Sequence, residues 1–188
     1  MKKSIMLSVF IMVLAVSIGG LATAGEKAPQ SVFDLASSTL TAFGTDPVIV
    51  KAVEAQNSAG KSLGEIKAMD AKWKDHAGLA NYMQALMDSD CGKHLRSIQD
   101  QSGFYSEIFV MDNQGANVAM TDKTSDYWQG DEAKFQKSFN NGTGAVFVDE
   151  VEFDDSSQAY LVQVSVPVKD GNKVIGAITF GIDIDNIE

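Results

Sequence analysis

The sequence is poor in the residues that build cofactor, metal and disulfide sites: it has one cysteine and two histidines. A single cysteine cannot close a disulfide within the chain, so we predict that Cys91 is buried, free or joined to another molecule. His94 follows Cys91 by three positions. Haem attachment needs a second cysteine beside the histidine, and a zinc site needs more ligands than these two residues. We therefore predict no metal or cofactor at this pair and place it on a surface helix.

Catalytic patterns are also missing. Both histidines, His76 and His94, fall in the first half of the chain, and no serine stands in a GxSxG motif. Carboxylates are so common that no single pair of them indicates a glycosidase-type mechanism. We predict that the protein is not an enzyme, with a hydrolase of unrecognised type as the alternative.

The first residues have the pattern of an export signal. Lys2 and Lys3 precede an apolar run over residues 5–18, and small residues over 21–24 provide a cleavage site before Gly25. The run is shorter than the roughly 20 residues that span a bilayer. We predict that residues 1–24 are a cleaved signal peptide and that the protein is periplasmic, without stable membrane insertion after cleavage. An uncleaved signal anchor is the alternative.

Positive charge is scarce. Lysine and arginine number 15 against 25 aspartates and glutamates, a formal charge of −10. Loss of Lys2 and Lys3 with the signal peptide leaves 13 basic residues and a charge of −12. This balance excludes nucleic acid and anionic lipid as natural partners.

Residues 25–104 are predicted to be helical. Apolar residues recur there at helical spacing. Asp46 followed by Pro47 predicts an N-cap and the first turn of a helix. Ser62 with Glu65 predicts a capping box at the start of the next helix.

Residues 105–188 are predicted to form one antiparallel sheet. Two short strands over 106–112 and 116–121 form a hairpin, and three more strands follow a connection that runs from Thr121 to Gly144. The sheet needs cover on both faces. We predict an α+β fold in which the N-terminal helices cover one face, while the connection crosses the other and leaves a pocket beneath it.

The fourth predicted strand has an apolar face and a more polar face. Alternation places four valines on one side, Val162, Val164, Val166 and Val168. Gln163 and Ser165 share the opposite side, which is therefore predicted to be the wetter one.

The connection contains the sequence DYWQGDEAKF, in which Tyr127 and Trp128 follow Asp126. Adjacent aromatic residues beside carboxylates provide a flat face and a fixed charge for a small polar ligand. The alternative is that both rings only fill the end of a core.

This segment, the DNQG and DGN turns and the closing KVIGAITFGIDI strand together resemble Cache (PDC) domains, which are extracytoplasmic PAS-like sensors of bacteria. The likeness is to the single-module type and covers nearly the whole mature chain. It implies a PAS-like five-stranded antiparallel sheet with a long N-terminal helix packed behind it and a small molecule bound in front. Such domains serve as input modules of chemoreceptors and sensor kinases.

The sequence carries no second membrane span and no signalling domain after the sensor. The resemblance therefore implies a secreted, stand-alone sensor that acts through a partner, which we expect to be a membrane sensor kinase or chemoreceptor. A homodimer is a further expectation.

Cache domains that bind amino acids or carboxylates usually hold the ligand carboxylate with an arginine in or beside an aromatic motif, because a guanidinium matches two oxygens. The only arginine, Arg96, lies in the helical region. Carboxylates beside Tyr127 and Trp128 instead favour a cation, through charge and through a ring contact worth about 2 kcal/mol when desolvated. We predict a small-molecule ligand with an amine, such as an amino acid, bound by Asp126, Tyr127, Trp128, Lys123, Asp149, Gln163 and Asp183.

Several alternatives remain at this stage. Asp126 could be only an N-cap, and Asp183 could be a strand-end residue satisfied by backbone donors. The domain could also sense a divalent cation or a carboxylate, or it could be a protein-interaction module whose cavity is filled by its own side chains.

Overall fold

The computed structural model describes residues 25–155 and 157–187. The predicted signal peptide, residues 1–24, lies outside the described residues, so its cleavage stays a prediction.

The chain begins with one continuous helical stretch. Helix α1 (Gln30–Leu35) passes through a π-helical turn (Ala36–Leu40) into the short helix α2 (Thr41–Phe43). Buried residues at Val32, Ala36 and Leu40 recur every four positions along it. This spacing turns one side of the stretch toward the sheet.

The next two helices start where their capping residues predict. Helix α3 (Pro47–Ser58) is capped by Asp46, whose side chain accepts hydrogen bonds from the backbone N–H groups of Val48 and Ile49. Helix α4 (Leu63–Asp75) begins with the reciprocal Ser62 and Glu65 capping box. Both predicted helix starts are confirmed.

Three further helices and a 3₁₀ turn complete the helical part. They are α5 (Asn81–Met87), α6 (Asp90–Asp100), α7 (Ala133–Phe139) and the turn Asn140–Gly142. Helix α7 lies inside the predicted connection between the second and third strands. Among the described residues, no helix has both the length and the hydropathy needed to cross a membrane.

The second half of the chain forms a single five-stranded sheet. The strands are β1 (Tyr105–Met111), β2 (Asn117–Met120), β3 (Phe147–Asp154), β4 (Ala159–Asp170) and β5 (Lys173–Asp183). Their order is β2-β1-β5-β4-β3, and every neighbouring pair is antiparallel. The predicted α+β, PAS-like fold is confirmed.

One face of the sheet, which we call the back face, carries buried apolar residues. The four valines of β4 are fully buried there together with Ile178 and Phe180 of β5. The first helical stretch, α3 and α6 supply the residues that pack on them. The predicted helical cover of one face is therefore present.

The other face, the front face, is covered by a second group of helices. Ile66 and Trp73 of α4 pack with Phe109 of β1 and Phe135 of α7 in a separate core cluster. Helix α4 thus reaches the same face as the 121–144 connection, which the sequence pattern did not predict. Its position decides where the cavity lies.

Cys91 lies on the buried side of α6, whose other side is exposed at Asp90, Lys93, Ser97 and Asp100. Cys91 is 3% exposed and packs in the back-face core on α6. Burial, together with the negative charge of Asp46, raises the pKa of the Cys91 thiol to about 12. His94 lies nearby with Nε2 3.0 Å from Asp46 Oδ2. Helix α6 therefore lies at the surface with one side against the sheet, and Cys91 is on the buried side, free as one of the predictions had it.

Candidate functional site

A cavity of about 500 Å³ lies between the front face and the elements that cover its β3 side. Its floor is formed by residues of β1 and β4, one wall by β3, and its roof by the end of α4 and the loop at residues 123–125. This volume is within the range of small-molecule sites in proteins, about 300 to 1,000 Å³.

The floor is a row of three residues from adjacent strands. Glu107 on β1 and Gln163 on β4 both pair with Gly181 on the central strand β5. Because Gly181 has no side chain, Glu107 reaches across it, and Gln163 Nε2 donates a hydrogen bond to Glu107 Oε1 at 3.1 Å. A Cβ at Gly181 would stand 2.8 Å from Glu107 Cγ. The glycine is therefore what lets the carboxylate lie over the sheet.

Burial raises the pKa of Glu107. The positive charge of Lys134 and the hydrogen bond from Gln163 act in the opposite direction but do not outweigh it, and the negative charges of Asp154 and Asp122 add to the rise. The floor of the cavity thus carries a carboxylate whose charge is poorly solvated.

The β3 wall is acidic. Asp149, Glu150, Glu152 and Asp154 all line the cavity. A bulge between Val148 and Val151 places two residues of β3 opposite one of β4 and so turns both Asp149 and Glu150 toward the hollow.

The roof is held in place by hydrogen bonds to α4. Trp73 Nε1 donates to the carbonyl of Thr124 at 2.8 Å. The buried carboxylate of Asp70 accepts hydrogen bonds from the backbone N–H groups of Tyr127 and Trp128, at 2.9 and 3.1 Å. These bonds fix the loop over the cavity to the helix beside it.

Both lysines that line the cavity already have partners in the chain. Lys74 Nζ lies 2.8 Å from Asp70 and 2.9 Å from Asp126, and these contacts raise the pKa of Lys74. Lys123 Nζ donates to the carbonyl of His76 at 3.0 Å. The positive charges of the lining are therefore already engaged within the chain, whereas carboxylates make up most of its charged groups.

Burial alone would raise the pKa of Asp126, but hydrogen bonds from Lys74 and Ser125 outweigh that effect and hold the pKa below its ordinary value. Asp126 lies behind Lys74 and is not part of the cavity lining. Its ion pair gives it a structural role in fixing the roof.

Of the seven residues predicted to bind ligand, three line the cavity. They are Lys123, Asp149 and Gln163. The structure brings these three together from the 121–144 connection, β3 and β4.

Tyr127 and Trp128 point elsewhere. Tyr127 is 4% exposed and packs on Trp73 with 5.6 Å between ring centroids. Trp128 Nε1 donates to the carbonyl of Gln114 at 2.8 Å. Both rings fill the core between α4 and the β1–β2 hairpin, as in the core-filling alternative, and neither lines the cavity.

The faces of these rings are also occupied. Lys61 Nζ lies 5.9 Å from the centroid of the Tyr127 ring, and Lys67 Nζ lies 4.5 Å from that of Trp128. The cation contacts predicted for the two rings are thus made by lysines of the chain itself.

Asp183 ends β5 outside the cavity. Its carboxylate accepts hydrogen bonds from the backbone N–H of Asp185 and from Asn186 Nδ2, at 3.0 and 2.7 Å. This is the strand-end arrangement that the sequence left open.

The sequence reasoning missed Glu107, Trp73 and Lys74. Glu107 had a signal: it is the one charged residue inside the strand sequence YSEIFVM. Charged residues are rarely buried without a partner, so a carboxylate at an inward-facing position of a strand is a candidate for a functional role.

A second hollow of about 440 Å³ adjoins the first and shares Glu107, Lys123 and Asp154 with it. Arg96 of α6 lies at this hollow, where its guanidinium donates to Gln99 Oε1 at 2.7 Å and to the carbonyl of Thr121. The only arginine therefore belongs to the surroundings of the site although it lies in the helical region.

Among the described residues, no three His, Cys, Asp or Glu side chains are grouped closely enough to hold a metal ion. The acidic residues of the site are spread over the floor and one wall.

No family model and no curated protein sequence matches the chain. Several solved structures do match the chain. The sensor domain of the Vibrio cholerae histidine kinase DctB is 16% identical, with a TM-score of 0.39, over 84% of this chain and 55% of that one. The ligand-binding domain of the Campylobacter jejuni chemoreceptor Tlp3, in complex with 4-methylisoleucine, is 12% identical, with a TM-score of 0.43, over 84% of this chain and 60% of that one.

The sensor domain of Escherichia coli DcuS is 17% identical, with a TM-score of 0.39, over 66% of this chain and 90% of that one. The chain spans less than two thirds of the DctB and Tlp3 domains. The strand order and the helical cover described above confirm the PAS-like fold that the resemblance to Cache domains implied.

Proposed function

We propose that the protein is a periplasmic small-molecule sensor module that favours an amine-bearing ligand, such as an amino acid, and signals through a partner protein. The observation that carries this proposal is the cavity on the front face, which has carboxylates on its floor and wall and lysines that are already engaged by the chain.

The electrostatics support an amine over an anion. Five carboxylates line the cavity, namely Glu107, Asp149, Glu150, Glu152 and Asp154, against two lysines. In a site that is partly closed to water, charges interact more strongly than in bulk solvent. A ligand ammonium group would therefore gain attraction there, whereas a lone carboxylate would meet repulsion.

Gln163 and Asp149 are the predicted site residues that best fit this role. Gln163 keeps a carbonyl oxygen for a ligand N–H while its amide nitrogen holds Glu107. Asp149 faces the cavity from the bulged wall. Lys123 lies at the junction with the second hollow, where it could contact a ligand carboxylate.

A carboxylate sensor is the second candidate, and Arg96 beside the second hollow favours it. A divalent-cation sensor is a further alternative. A protein-interaction module with a self-filled cavity predicts a front face without an open hollow, which is not the arrangement found at this site.

A thermal-shift screen tests the proposal. The purified mature chain is heated with amino acids, amines, organic acids, and calcium and magnesium salts. A ligand at about 100 times its dissociation constant adds roughly 2.7 kcal/mol to stability and so raises the melting temperature. Failure of every compound to shift the melting temperature would remove the small-molecule proposal.

A matched pair of variants locates any hit. Asp149→Asn changes a carboxylate in the cavity wall, and Glu54→Gln changes an exposed carboxylate on α3, on the other side of the sheet. We expect Asp149→Asn to weaken binding and Glu54→Gln to leave it unchanged. Equal effects from both would place the site elsewhere.

We propose a membrane sensor kinase or chemoreceptor as the partner, and a homodimer as the assembly. In-cell cross-linking with and without the ligand found by the screen tests the first, and sedimentation of the purified chain tests the second. A ligand-independent monomer with no cross-linked membrane protein would leave a binding protein without this signalling role.

A further inference from the structure

The amine-binding site described above leaves open which chemistry recognises the amine. Two charge-based modes can be distinguished: the face of an aromatic ring, which accepts any cation, and a carboxylate that accepts hydrogen bonds, which needs N–H donors. The two make opposite predictions for a fully methylated amine, since a quaternary ammonium has no N–H group.

The ring faces near the site are poorly placed for recognition. Lys61 and Lys67 occupy those of Tyr127 and Trp128. Trp73 lines the cavity but is 1% exposed, and its N–H is bonded to Thr124. Among the described residues of the lining, Phe153 has the one exposed aromatic ring, and it packs edge-on against Tyr160 at 5.2 Å. A single ring does not enclose a quaternary ammonium.

The floor carboxylate has the opposite character. Gln163 holds Glu107 Oε1, and within the part of the chain that the structure describes no hydrogen-bond donor reaches Glu107 Oε2. Lys134, the lysine of α7 on this face, lies over the Phe109 ring and pairs with Glu132 at 2.8 Å. A partly buried carboxylate with a free oxygen is stabilised by a donor that the ligand brings.

We propose that Glu107, held by Gln163 over Gly181, is the residue that recognises the ligand amine through N–H hydrogen bonds, so that the site accepts primary amines and rejects their quaternary counterparts. This inference rests on the proposed function and names its ligand class. Glu107 was not among the residues that the sequence indicated.

The experiment compares matched probes on the same protein. Glycine, L-valine, isobutylamine and putrescine are each paired with their fully N-methylated form, and isovalerate serves as an acid without an amine. Thermal shift and isothermal titration measure binding to the wild type. We expect binding by at least one primary amine and a loss of about tenfold to hundredfold in affinity for its methylated form, the range for a hydrogen bond to a charged group.

Two variants then test the residue. Glu107→Gln keeps an oxygen that can accept the hydrogen bond from Gln163 but removes the charge, and Glu152→Gln makes the same change at an exposed position of the cavity wall. We expect Glu107→Gln to lower the affinity for the bound primary amine about tenfold or more and Glu152→Gln to lower it less than about threefold. The melting temperature without ligand checks that both variants fold, and the methylation series on the wild type needs no variant.

The outcomes separate the inference from the proposed function. Equal binding of a primary amine and its methylated form, or full binding by folded Glu107→Gln, overturns the role of Glu107 and leaves the sensor function standing. Binding of isovalerate alone also overturns it and favours the carboxylate sensor. No binding by any probe here or by any compound of the thermal-shift screen overturns both.

Discussion

The two faces of the sheet differ in the polarity of the side chains that they carry. The back face is built from fully buried apolar residues such as Val164 and Phe180, which belong to one core cluster with the helices on that side. The front face carries Glu107, Gln163 and the hydroxyl pair of Ser165 and Thr179, whose oxygens are 2.8 Å apart. Because side chains alternate along a strand, the apolar residues of the back face and the polar residues of the front face are neighbours in the sequence.

The largest expected contrast comes from truncating a side chain on each face. Phe180 packs between the rings of Phe43 and Tyr105, each 5.5 Å away, and Phe180→Ala should lower the free energy of unfolding by about 3 to 5 kcal/mol. Leu161 borders the cavity on the front face, so Leu161→Ala removes fewer contacts and should cost about 2 kcal/mol. Urea denaturation measures both. Equal losses would show that the front face is as tightly packed as the back.

Alanine substitutions at two glycines of β5 test the same difference between the two faces without removing a side chain. A Cβ at Gly176, on the back face, meets the backbone carbonyl of Met111, which cannot move aside. A Cβ at Gly181, on the front face, meets the side chain of Glu107. We expect Gly176→Ala to destabilise by about 3 kcal/mol and Gly181→Ala by about 1 kcal/mol.

In a binding assay, the order of the two effects should be reversed, with the larger effect at Gly181. Gly181→Ala displaces Glu107 and should weaken binding of a primary amine that binds the wild type, whereas a folded Gly176→Ala protein should bind normally. A Gly181→Ala protein with unchanged affinity would argue against the floor as the recognition surface.

The raised pKa of Glu107 predicts opposite pH trends for stability and binding. Folding favours the protonated carboxyl, so its contribution to stability is fully present below the ordinary glutamate pKa and is lost as the pH rises through the raised value. Amine binding needs the ionised form and should strengthen over the same interval.

Comparison with Glu107→Gln isolates this group from the other carboxylates. The difference in melting temperature between the wild type and Glu107→Gln should shift in favour of the variant as the pH rises, and the pH dependence of amine affinity should be weaker in the variant. Parallel pH curves for the two proteins would assign the dependence to other groups of the wall.

The smallest expected effect is at the ion pair that fixes the roof. Lys74 is about half exposed, so its pair with Asp126 is screened by solvent, and Asp126→Asn should cost about 0.2 to 1 kcal/mol. Because the pKa of Asp126 is lowered, its contribution is present above the ordinary aspartate pKa and is lost as the pH falls through the lower value. A double-mutant cycle with Lys74→Met measures the pair, and a coupling near zero would leave the hydrogen bonds of Asp70 and Trp73 to hold the roof.

Local patterns were enough to predict much of the fold. Asp46 and Ser62 cap their helices through atoms within three residues, and the valines of β4 face one side because strands alternate. These features depend on short stretches of sequence, which is why they could be predicted without knowing the tertiary arrangement.

The direction of the Tyr127 and Trp128 rings could not be predicted in this way. It is decided by Asp70, Lys61 and Lys67, which stand about 60 positions earlier on and before α4. The grouping of Glu107 with Gln163 depends likewise on β5 lying between their strands. Such contacts are set by chain topology, and only a structure gives them.

The acidic wall of the cavity has a consequence for the protein at high concentration. β3 is an outermost strand of the sheet, and among the described residues its outer side meets the chain again where Val151 donates to the carbonyl of Glu26. An exposed strand edge invites pairing with another molecule, and charged side chains discourage it. Neutralising Asp149, Glu150 and Glu152 together should therefore increase light scattering by the concentrated protein, because the charges of this strand keep neighbouring copies apart.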